Sequence, residues 1–163
     1  MASFATALRA LNDLKQADVI REYAIGGAIG VVFWTEPVLT YDLDVFIVLP
    51  SQEGPIVNLT PLYQWAARSG YQTLAEHVIV DGVPVQFFPS HNELCDEAIR
   101  TAQTLEYEGI EVRVIRPEYL VALWLEPEAR TAKRRERAAA LMESSVTDQA
   151  VLRELLDRYK LSW

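Results

Sequence analysis

Two aspartates stand two residues apart at the start of an apolar stretch. Asp42 and Asp44 open the segment DLDVFIVL, in which they alternate with Leu43 and Val45 before the segment becomes continuously apolar. This pattern predicts a central β-strand over 42–49 that is buried on both faces. Residues i and i+2 of a strand point to the same side, so both carboxylates can hold one divalent cation. Oxygen ligands of this kind favour Mg²⁺ or Mn²⁺.

A glycine pair precedes the aspartates. A short apolar strand predicted over 23–25 ends at Gly26 and Gly27, and the apolar stretch 28–34 predicts a buried helix, followed by a loop over 35–41. Glycines at a strand-to-helix turn let the backbone approach a phosphate, and the helix N-terminus offers free N–H donors. A phosphate site beside a metal-binding pair suits transfer of a nucleotidyl group, in which positioning and charge neutralisation supply nearly all of the catalysis.

The remaining elements must build a scaffold around these residues. Period and turn signals predict helices over 3–17, 60–70, 93–103, 117–126, 130–143 and from 147 onward, and strands over 73–80, 83–88, 104–107 and 111–115. The dipeptide Asp81-Gly82 predicts a tight hairpin between two of these strands. The fold class is therefore α/β (α+β), a mixed sheet flanked by helices. We expect an α/β core over 1–116 and a helical part over 117–163 packed on it as one structural unit.

The composition is that of an acidic globular chain. The 163 residues carry a formal net charge of −8, and half of them are hydrophobic, which is enough for a core. An acidic chain repels the nucleic-acid backbone at long range, so unspecific coating of DNA or RNA is a poor hypothesis. Arg9 and Asp13 interrupt the apolar residues near the N-terminus, which argues against a signal peptide, and no apolar run reaches the length of a membrane span. We expect a cytoplasmic location.

The single cysteine and the two histidines give weak signals. Cys95 makes neither an internal disulfide nor a cysteine-based zinc site, and we interpret it as a small buried apolar residue. His77 falls in a predicted strand and His91 in a loop, without the HxxxH or HExxH spacing of a metal site. We interpret both histidines as structural or exposed.

The stretch AIGGAIGVVFWTEPVLTYDLDVFIVLP resembles the signature of the nucleotidyltransferase superfamily, in which a glycine pair and a helix precede a DxD motif on the next strand. The nearest variety is the small bacterial proteins related to AbiEii-type abortive-infection toxins. GVPVQFFPS is similar to their third motif strand. RPEYLVALWLEPEARTAKRRER is similar to their helical segment, where a leucine-rich helix precedes an Arg-x-x-Lys stretch. The resemblance covers most of residues 20–140 and implies a mixed β-sheet flanked by helices.

The resemblance also implies roles for individual residues. Gly26 and Gly27 would contact the phosphates of a nucleoside triphosphate (NTP). Asp42 and Asp44 would be the catalytic ligands of Mg²⁺ or Mn²⁺. Lys133 would reach the phosphates. The implied partners are an NTP, an RNA or protein acceptor, and an antitoxin if the likeness to toxins extends that far.

One departure from the family pattern bears on catalysis. Gln86 stands where active members carry a third carboxylate, and an amide neither accepts the acceptor's proton nor ligates a metal as well as a carboxylate. Asp81 and Glu76 are alternative bases, but neither fits the motif. Two hypotheses follow: an enzyme that transfers an NMP group to a hydroxyl, or a catalytically impaired nucleotide-binding or interaction module that keeps the fold.

A basic run and several aromatic residues remain open to two interpretations. The run comprises Arg130, Lys133, Arg134, Arg135 and Arg137. It is either a solvated helix face or a phosphate or RNA contact beside the site, and in Arg134 it departs from the acidic residue that commonly follows the family lysine. The aromatic residues Phe33, Trp34, Trp65 and Trp124 are interpreted as core in preference to a stacking surface for a base.

Overall fold

The computed structural model describes residues 4–27, 30, 33–34, 42–50, 57–129 and 131–162. Six α-helices have their bounds within these residues: α1 Phe4–Gln16, α2 Thr60–Arg68, α3 Glu93–Arg100, α4 Pro117–Leu125, α5 Ala132–Glu143 and α6 Gln149–Arg158. Seven strands do so as well: β1 Glu22–Gly26, β2 Leu43–Val48, β3 Gln72–Leu74, β4 His77–Val80, β5 Val83–Pro89, β6 Gln103–Tyr107 and β7 Ile110–Val114. A short 3₁₀ turn spans Pro127–Ala129.

The strands form one mixed sheet in the order β3-β4-β5-β2-β1-β7-β6. The aspartate strand β2 lies at its centre, antiparallel to β1 and parallel to β5. Hairpins join β4 to β5 and β6 to β7, and β1 runs parallel to β7. The predicted α/β fold with a mixed sheet flanked by helices is confirmed.

The two faces of the sheet carry separate apolar cores. One face buries Leu43, Val45 and Ile47 of β2 against α1 and α2, as the alternation in the sequence predicts for a central strand. The other face packs Ala24, Phe46 and Val48 against α3, α4, α5 and α6. Asp44 lies on this second face, so the C-terminal helices cover the same side of the sheet as the aspartate.

The C-terminal helices begin at sequence signals of the expected kinds. Pro117 occupies the first turn of α4, the Thr131 side chain caps α5 by accepting from the Arg134 backbone N–H, and the Asp148 side chain caps α6. Helix α4 is buried along its whole length. The boundary between a core over 1–116 and a helical part over 117–163 stays a prediction. No helix within the described residues is long and apolar enough to cross a membrane.

Some local predictions differ from the structure. The single strand predicted over 73–80 is wrong, because β3 and β4 form a hairpin. Its turn places Ala75 at φ 53°, a left-handed conformation that is usually occupied by glycine, and the sequence has no glycine at this turn to signal it. The pair Thr60-Pro61 predicts an N-cap residue followed by proline at the first helical position, but Leu59 is the N-cap residue and Thr60 begins α2. The helix predicted over 28–34 lies largely, and the loop over 35–41 wholly, outside the described residues, as does Arg130.

Candidate active site

Four neighbouring strands place one row of residues across the sheet. Asp44 in β2 lies opposite Gly26 in β1 and opposite Gln86 in β5, and Gln86 lies opposite His77 in β4. Directly opposite residues of neighbouring strands direct their side chains to the same face of a sheet. The row therefore sets the carboxylate, the amide and the imidazole side by side on the face that the C-terminal helices cover.

Asp42 is the residue immediately before β2, and its side chain lies nearer to solvent than that of Asp44. Its side chain is 57% exposed, and its Oδ2 lies 4.0 Å from Nε2 of His77. Asp44 is only partly exposed because it lies within the strand. The two carboxylates thus sit in different surroundings, one facing water and one recessed toward the core.

The backbone beside Asp44 has no room for a side chain. Gly27 adopts φ +61°, and a Cβ built there would overlap the Asp44 carboxylate and lie 2.9 Å from the Asp44 Cβ. A Cβ at Gly26 would lie 2.6 Å from the ring of Phe46. A side chain at either position would therefore force its neighbour to move, and at Gly27 the backbone conformation also disfavours any residue but glycine.

A cavity of about 290 Å³ opens next to Asp44. Its described lining comes from the strands, from the turn at Gly27 and from α4, α5 and the 3₁₀ turn: Gly27, Asp44, Phe46, Phe88, His91, Leu120, Leu123, Trp124, Glu126, Ala129, Arg134 and Arg137. Phe46 and Phe88 stack with their ring centroids 5.4 Å apart. The cavity therefore combines a charged part with an aromatic and aliphatic part, as a site for an organic phosphate requires.

Helix α5 contributes two guanidinium groups to this cavity. The Arg134 side chain donates from Nη1 to the Ala129 carbonyl at 2.8 Å, which fixes its direction. Arg137 lies one turn further along the same helix face. Lys133 is exposed, and the described residues that line the cavity do not include it.

The electrostatics of the pair favour a bound cation. Burial raises the pKa of Asp44 above its ordinary value, the neighbouring charge of Asp42 raises it further, and Arg134 opposes the shift. Two carboxylates at one end of a strand repel each other until a cation neutralises them. This donor set fits a hard divalent ion held by oxygen ligands.

The protein supplies only part of such an ion's coordination shell. Within the described residues, no group of three or more His, Cys, Asp or Glu side chains is placed to hold a metal ion. Asp42 and Asp44 are the ligands that the sequence predicts, and phosphate oxygens and water would have to complete the shell. The assignment of all the site residues, including Gln86 and Lys133, stays a prediction.

The structure adds residues that the sequence analysis set aside. His77 was interpreted as structural or exposed, yet it stands in the row with Gln86 and beside Asp42. The signal was available, because the tight Asp81-Gly82 turn pairs Val80 with Val83 and thereby fixes the register of the whole hairpin. Trp124, interpreted as core, is buried and also lines the cavity.

The mixed sheet and its covering helices define the nucleotidyltransferase fold, as comparison with solved structures shows. The chain is similar to the antibiotic-resistance factor ANT(2'')-Ia in solution, at 15% identity and a TM-score of 0.53, over 98% of this chain and 93% of that one. It is also similar to the crystal structure of ANT(2'')-Ia in complex with adenylyl-2''-tobramycin, at 15% identity and a TM-score of 0.54, over 96% and 99% of the two chains.

A nucleotidyltransferase-like protein from Paracoccidioides brasiliensis has the same fold. This antigenic protein matches at 16% identity and a TM-score of 0.55, over 98% of this chain and 91% of that chain. No family model and no curated protein matches the sequence. The comparisons therefore establish the fold, and the likeness to AbiEii-type toxins stays a prediction.

Proposed function

We propose that this protein is a metal-dependent nucleotidyltransferase that binds an NTP and transfers an NMP group to a hydroxyl acceptor. One observation supports it above the others: Asp42 and Asp44 stand at the start of the central strand, and Asp44, beside the glycine turn, lines a cavity that two arginines also line. Carboxylates for a metal ion and guanidinium groups for phosphates are the groups that this reaction needs.

Each group has a defined task in this proposal. Asp42 and Asp44 would hold Mg²⁺ or Mn²⁺, which when bound would neutralise phosphate charge. Gly26 and Gly27 would let the backbone approach the phosphates, because they carry no side chain. A side chain at either position would also collide with Phe46 or Asp44. The aromatic part of the cavity would shield the reacting groups from water. We retain Lys133 as a further phosphate contact on α5.

The acceptor is proposed as a class. The sequence favours a hydroxyl of RNA or of a protein. One of the similar structures contains adenylyl-2''-tobramycin, so an aminoglycoside hydroxyl is a third class to test. We also keep the cytoplasmic location and an antitoxin partner as predictions from the sequence.

The alternative function is a nucleotide-binding or interaction module without catalysis. Gln86 favours it, because the residue directly opposite Asp44 on β5 is an amide that accepts no proton. Such a module would bind an NTP with its metal ion and release no pyrophosphate. The two hypotheses differ in turnover and not in binding.

Calorimetric titration of the four NTPs with and without Mg²⁺ tests the proposed function. We expect binding that is tighter with Mg²⁺, and pyrophosphate release in the presence of RNA, protein or tobramycin. Asp44→Asn should abolish the metal dependence, because it removes one of two carboxylate ligands. Unchanged titrations of this variant would refute the metal assignment, and binding without pyrophosphate release with any acceptor would favour the module.

We expect turnover of the wild type to be slow or absent, because an amide stands where a third carboxylate would serve, and substitution of Gln86 tests this expectation. We expect Gln86→Asp to tighten Mn²⁺ binding and to raise any NMP transfer, because it places a third carboxylate opposite Asp44. Gln86→Asn is the matched control, since it shortens the side chain equally and adds no charge. A fast, metal-dependent wild type that Gln86→Asp does not improve would mean that another group serves as the base.

A further inference from the structure

We propose that Arg134 and Arg137 bind the nucleotide phosphates in the place of a second metal ion, so that this protein takes up an NTP with one divalent cation. The inference rests on the proposed function and deepens it. It assigns the two arginines of α5 as the second cationic group of the site and sets the metal stoichiometry at one.

The carboxylate count of the site limits how many cations it can hold. The strands offer Asp42 and Asp44, and the next side chain in the row is the amide of Gln86. Among the described residues, no group of three metal-ligating side chains is gathered. The cavity lining has one more carboxylate, that of Glu126, and it already accepts a hydrogen bond from the Asn92 side chain at 2.8 Å. A second hard divalent ion would need further anionic oxygen ligands, which the described strands do not supply.

The arginines stand where a second cation would be needed. Arg134 and Arg137 line the same cavity as Gly27 and Asp44. They share one face of α5 with Ala138 and Leu141, whose burial turns that face toward the protein. Both arginines therefore line, from the helix side, the cavity that Asp44 lines from the sheet.

The two guanidinium groups have no carboxylate ion-pair partner among the residues that the structure describes. Within the described part of the chain, the ion pairs involve other residues: none joins Arg134 or Arg137 to a carboxylate. Cations that line a cavity without a carboxylate partner attract an anionic ligand. The planar fork of a guanidinium matches two oxygens of one phosphate, which a compact ammonium group does not.

The direction of Arg134 is set before any ligand binds. Its Nη1 donates to the Ala129 carbonyl, and its backbone N–H is capped by the Thr131 side chain at 3.1 Å. These two contacts hold the first turn of α5 and the guanidinium together. A pre-positioned donor costs less conformational entropy when the phosphate arrives. Lys133, 100° around the helix and exposed, has no comparable constraint in the contacts described.

The stoichiometry is tested by titrating Mn²⁺ into the wild-type protein with a non-hydrolysable analogue of the best-binding NTP. Electron paramagnetic resonance would measure the free Mn²⁺ at each step. We expect one Mn²⁺ per bound nucleotide. Two Mn²⁺ ions per bound nucleotide would overturn the inference.

The arginines are tested by calorimetry with the same analogue in the presence of Mg²⁺. Arg134→Met and Arg137→Met should each weaken nucleotide binding by about tenfold or more, because each removes charge-assisted hydrogen bonds. Arg134→Lys should recover part of the affinity, since the charge is kept and the fork is lost. Arg153→Met is the matched control, because Arg153 is exposed on α6 and outside the cavity lining.

The outcomes separate this inference from the proposed function. Full affinity in both arginine variants, or a loss in Lys133→Met with none in Arg134→Met, would overturn the inference while nucleotide binding stands. A wild type that binds none of the four NTPs would overturn both proposals. Arg137→Met leaves the Thr131 cap and the Ala129 contact intact, so it reports on phosphate binding even if Arg134→Met is unstable.

Discussion

At the scale of single residues, the contact between Gly27 and Asp44 ties backbone conformation to the chemistry of the site. The carboxylate fills the space that a Cβ at Gly27 would take, and the left-handed φ of Gly27 disfavours any other residue there. A substitution at this position therefore acts twice, once on the backbone and once on the aspartate.

Gly27→Ala should separate these two effects when it is compared with Gly70→Ala. Gly70 also has positive φ, +82°, but a Cβ there would meet no heavy atom within 4 Å. In both variants the free energy of unfolding should fall by roughly 1–2 kcal/mol, because alanine disfavours the left-handed conformation. In Gly27→Ala the free energy of unfolding should fall by about 1–3 kcal/mol more, because the added methyl group overpacks against Asp44. Urea unfolding of both variants measures this difference.

Equal losses in the two glycine variants would show that the Asp44 carboxylate moves aside without cost. Calorimetry with NTP and Mg²⁺ supplies the second readout. We expect Gly70→Ala to bind as the wild type does and Gly27→Ala to bind more weakly.

The aspartates, the glycine pair and Gln86 could be recognised in the sequence, whereas the places of His77 and of the α5 arginines depend on pairing and packing between elements. The i, i+2 spacing of Asp42 and Asp44 is a property of one strand, so it is readable locally. His77 reaches the site only because β4 pairs with β5 and β5 with β2. Arg134 and Arg137 reach it through the packing of α5, which no local pattern encodes. The resemblance pointed to Lys133, one residue earlier, and a helix turns 100° over that step.

At the scale of elements, the contributions of two buried glutamates to the stability of the fold depend on pH in opposite directions. Burial raises the pKa of Glu118, which is 3% exposed in the first turn of α4 and whose Oε2 has no hydrogen-bond partner in the described residues. Burial also disfavours the charged form of Glu97 in α3, but hydrogen bonds from Tyr119 and Arg158 hold its pKa below the ordinary value. Glu118 thus favours the folded state when protonated, and Glu97 does so when charged.

Glu118→Gln should stabilise the protein at pH 7. The folded-state pKa of Glu118 lies above 4.5, so its stabilising contribution is present below pH 4.5 and is lost as the pH rises through the folded value. Glutamine keeps the shape without the charge. The gain in free energy of unfolding should shrink as the pH falls toward 4.5, in urea titrations at several pH values. The exposed Glu143→Gln is the control, and a gain of equal size in it would exclude burial as the cause.

The helices and hairpins with local start and stop signals were predictable, and one turn was not. Pro117, Thr131 and the Asp81-Gly82 turn mark their elements in the sequence, and Asp81 and Gly82 both have positive φ, as a two-residue hairpin requires. The β3–β4 turn at Ala75 and Glu76 carries no glycine, asparagine or proline, so its two strands were predicted as one. The pairing of β3 with β4 decides that turn, and pairing is a long-range property.

At the scale of the whole molecule, one carboxylate connects three helices around the second core. Glu97 in α3 accepts hydrogen bonds from the Tyr119 hydroxyl of α4 at 2.7 Å, from the Tyr159 hydroxyl at the end of α6 at 3.2 Å, and from the Arg158 guanidinium. These contacts join the sheet-covering helix α3 to the last helix of the chain. Loss of Glu97 would leave several polar groups without their partner.

Glu97→Gln should destabilise the protein at pH 7, by about 1–3 kcal/mol, because the hydrogen bonds lose their charge and one amide hydrogen opposes the donors. The pKa of Glu97 is lowered in the fold, so its contribution is present above pH 4.5 and is lost as the pH falls through the folded value. Thermal or urea unfolding should therefore show the two proteins converging at low pH. Glu93→Gln, exposed one turn earlier on α3, is the control. A loss that is the same at every pH would mean that shape, and not charge, carries the effect.

Because Gly27 and Asp44 share one space, each constrains how the other can be replaced over generations. A left-handed glycine adds conformational entropy to the unfolded chain, and a recessed carboxylate beside a second one is unfavourable in the folded chain. Loss of the Asp44 carboxylate would relieve the second constraint alone, because the left-handed φ of Gly27 and the Cβ at position 44, 2.9 Å from a Cβ at position 27, would still favour glycine. Under selection for stability alone, mutations would therefore replace the aspartate and leave the glycine. A lineage that retains the aspartate against this cost is therefore one in which the cavity is selected for what it binds.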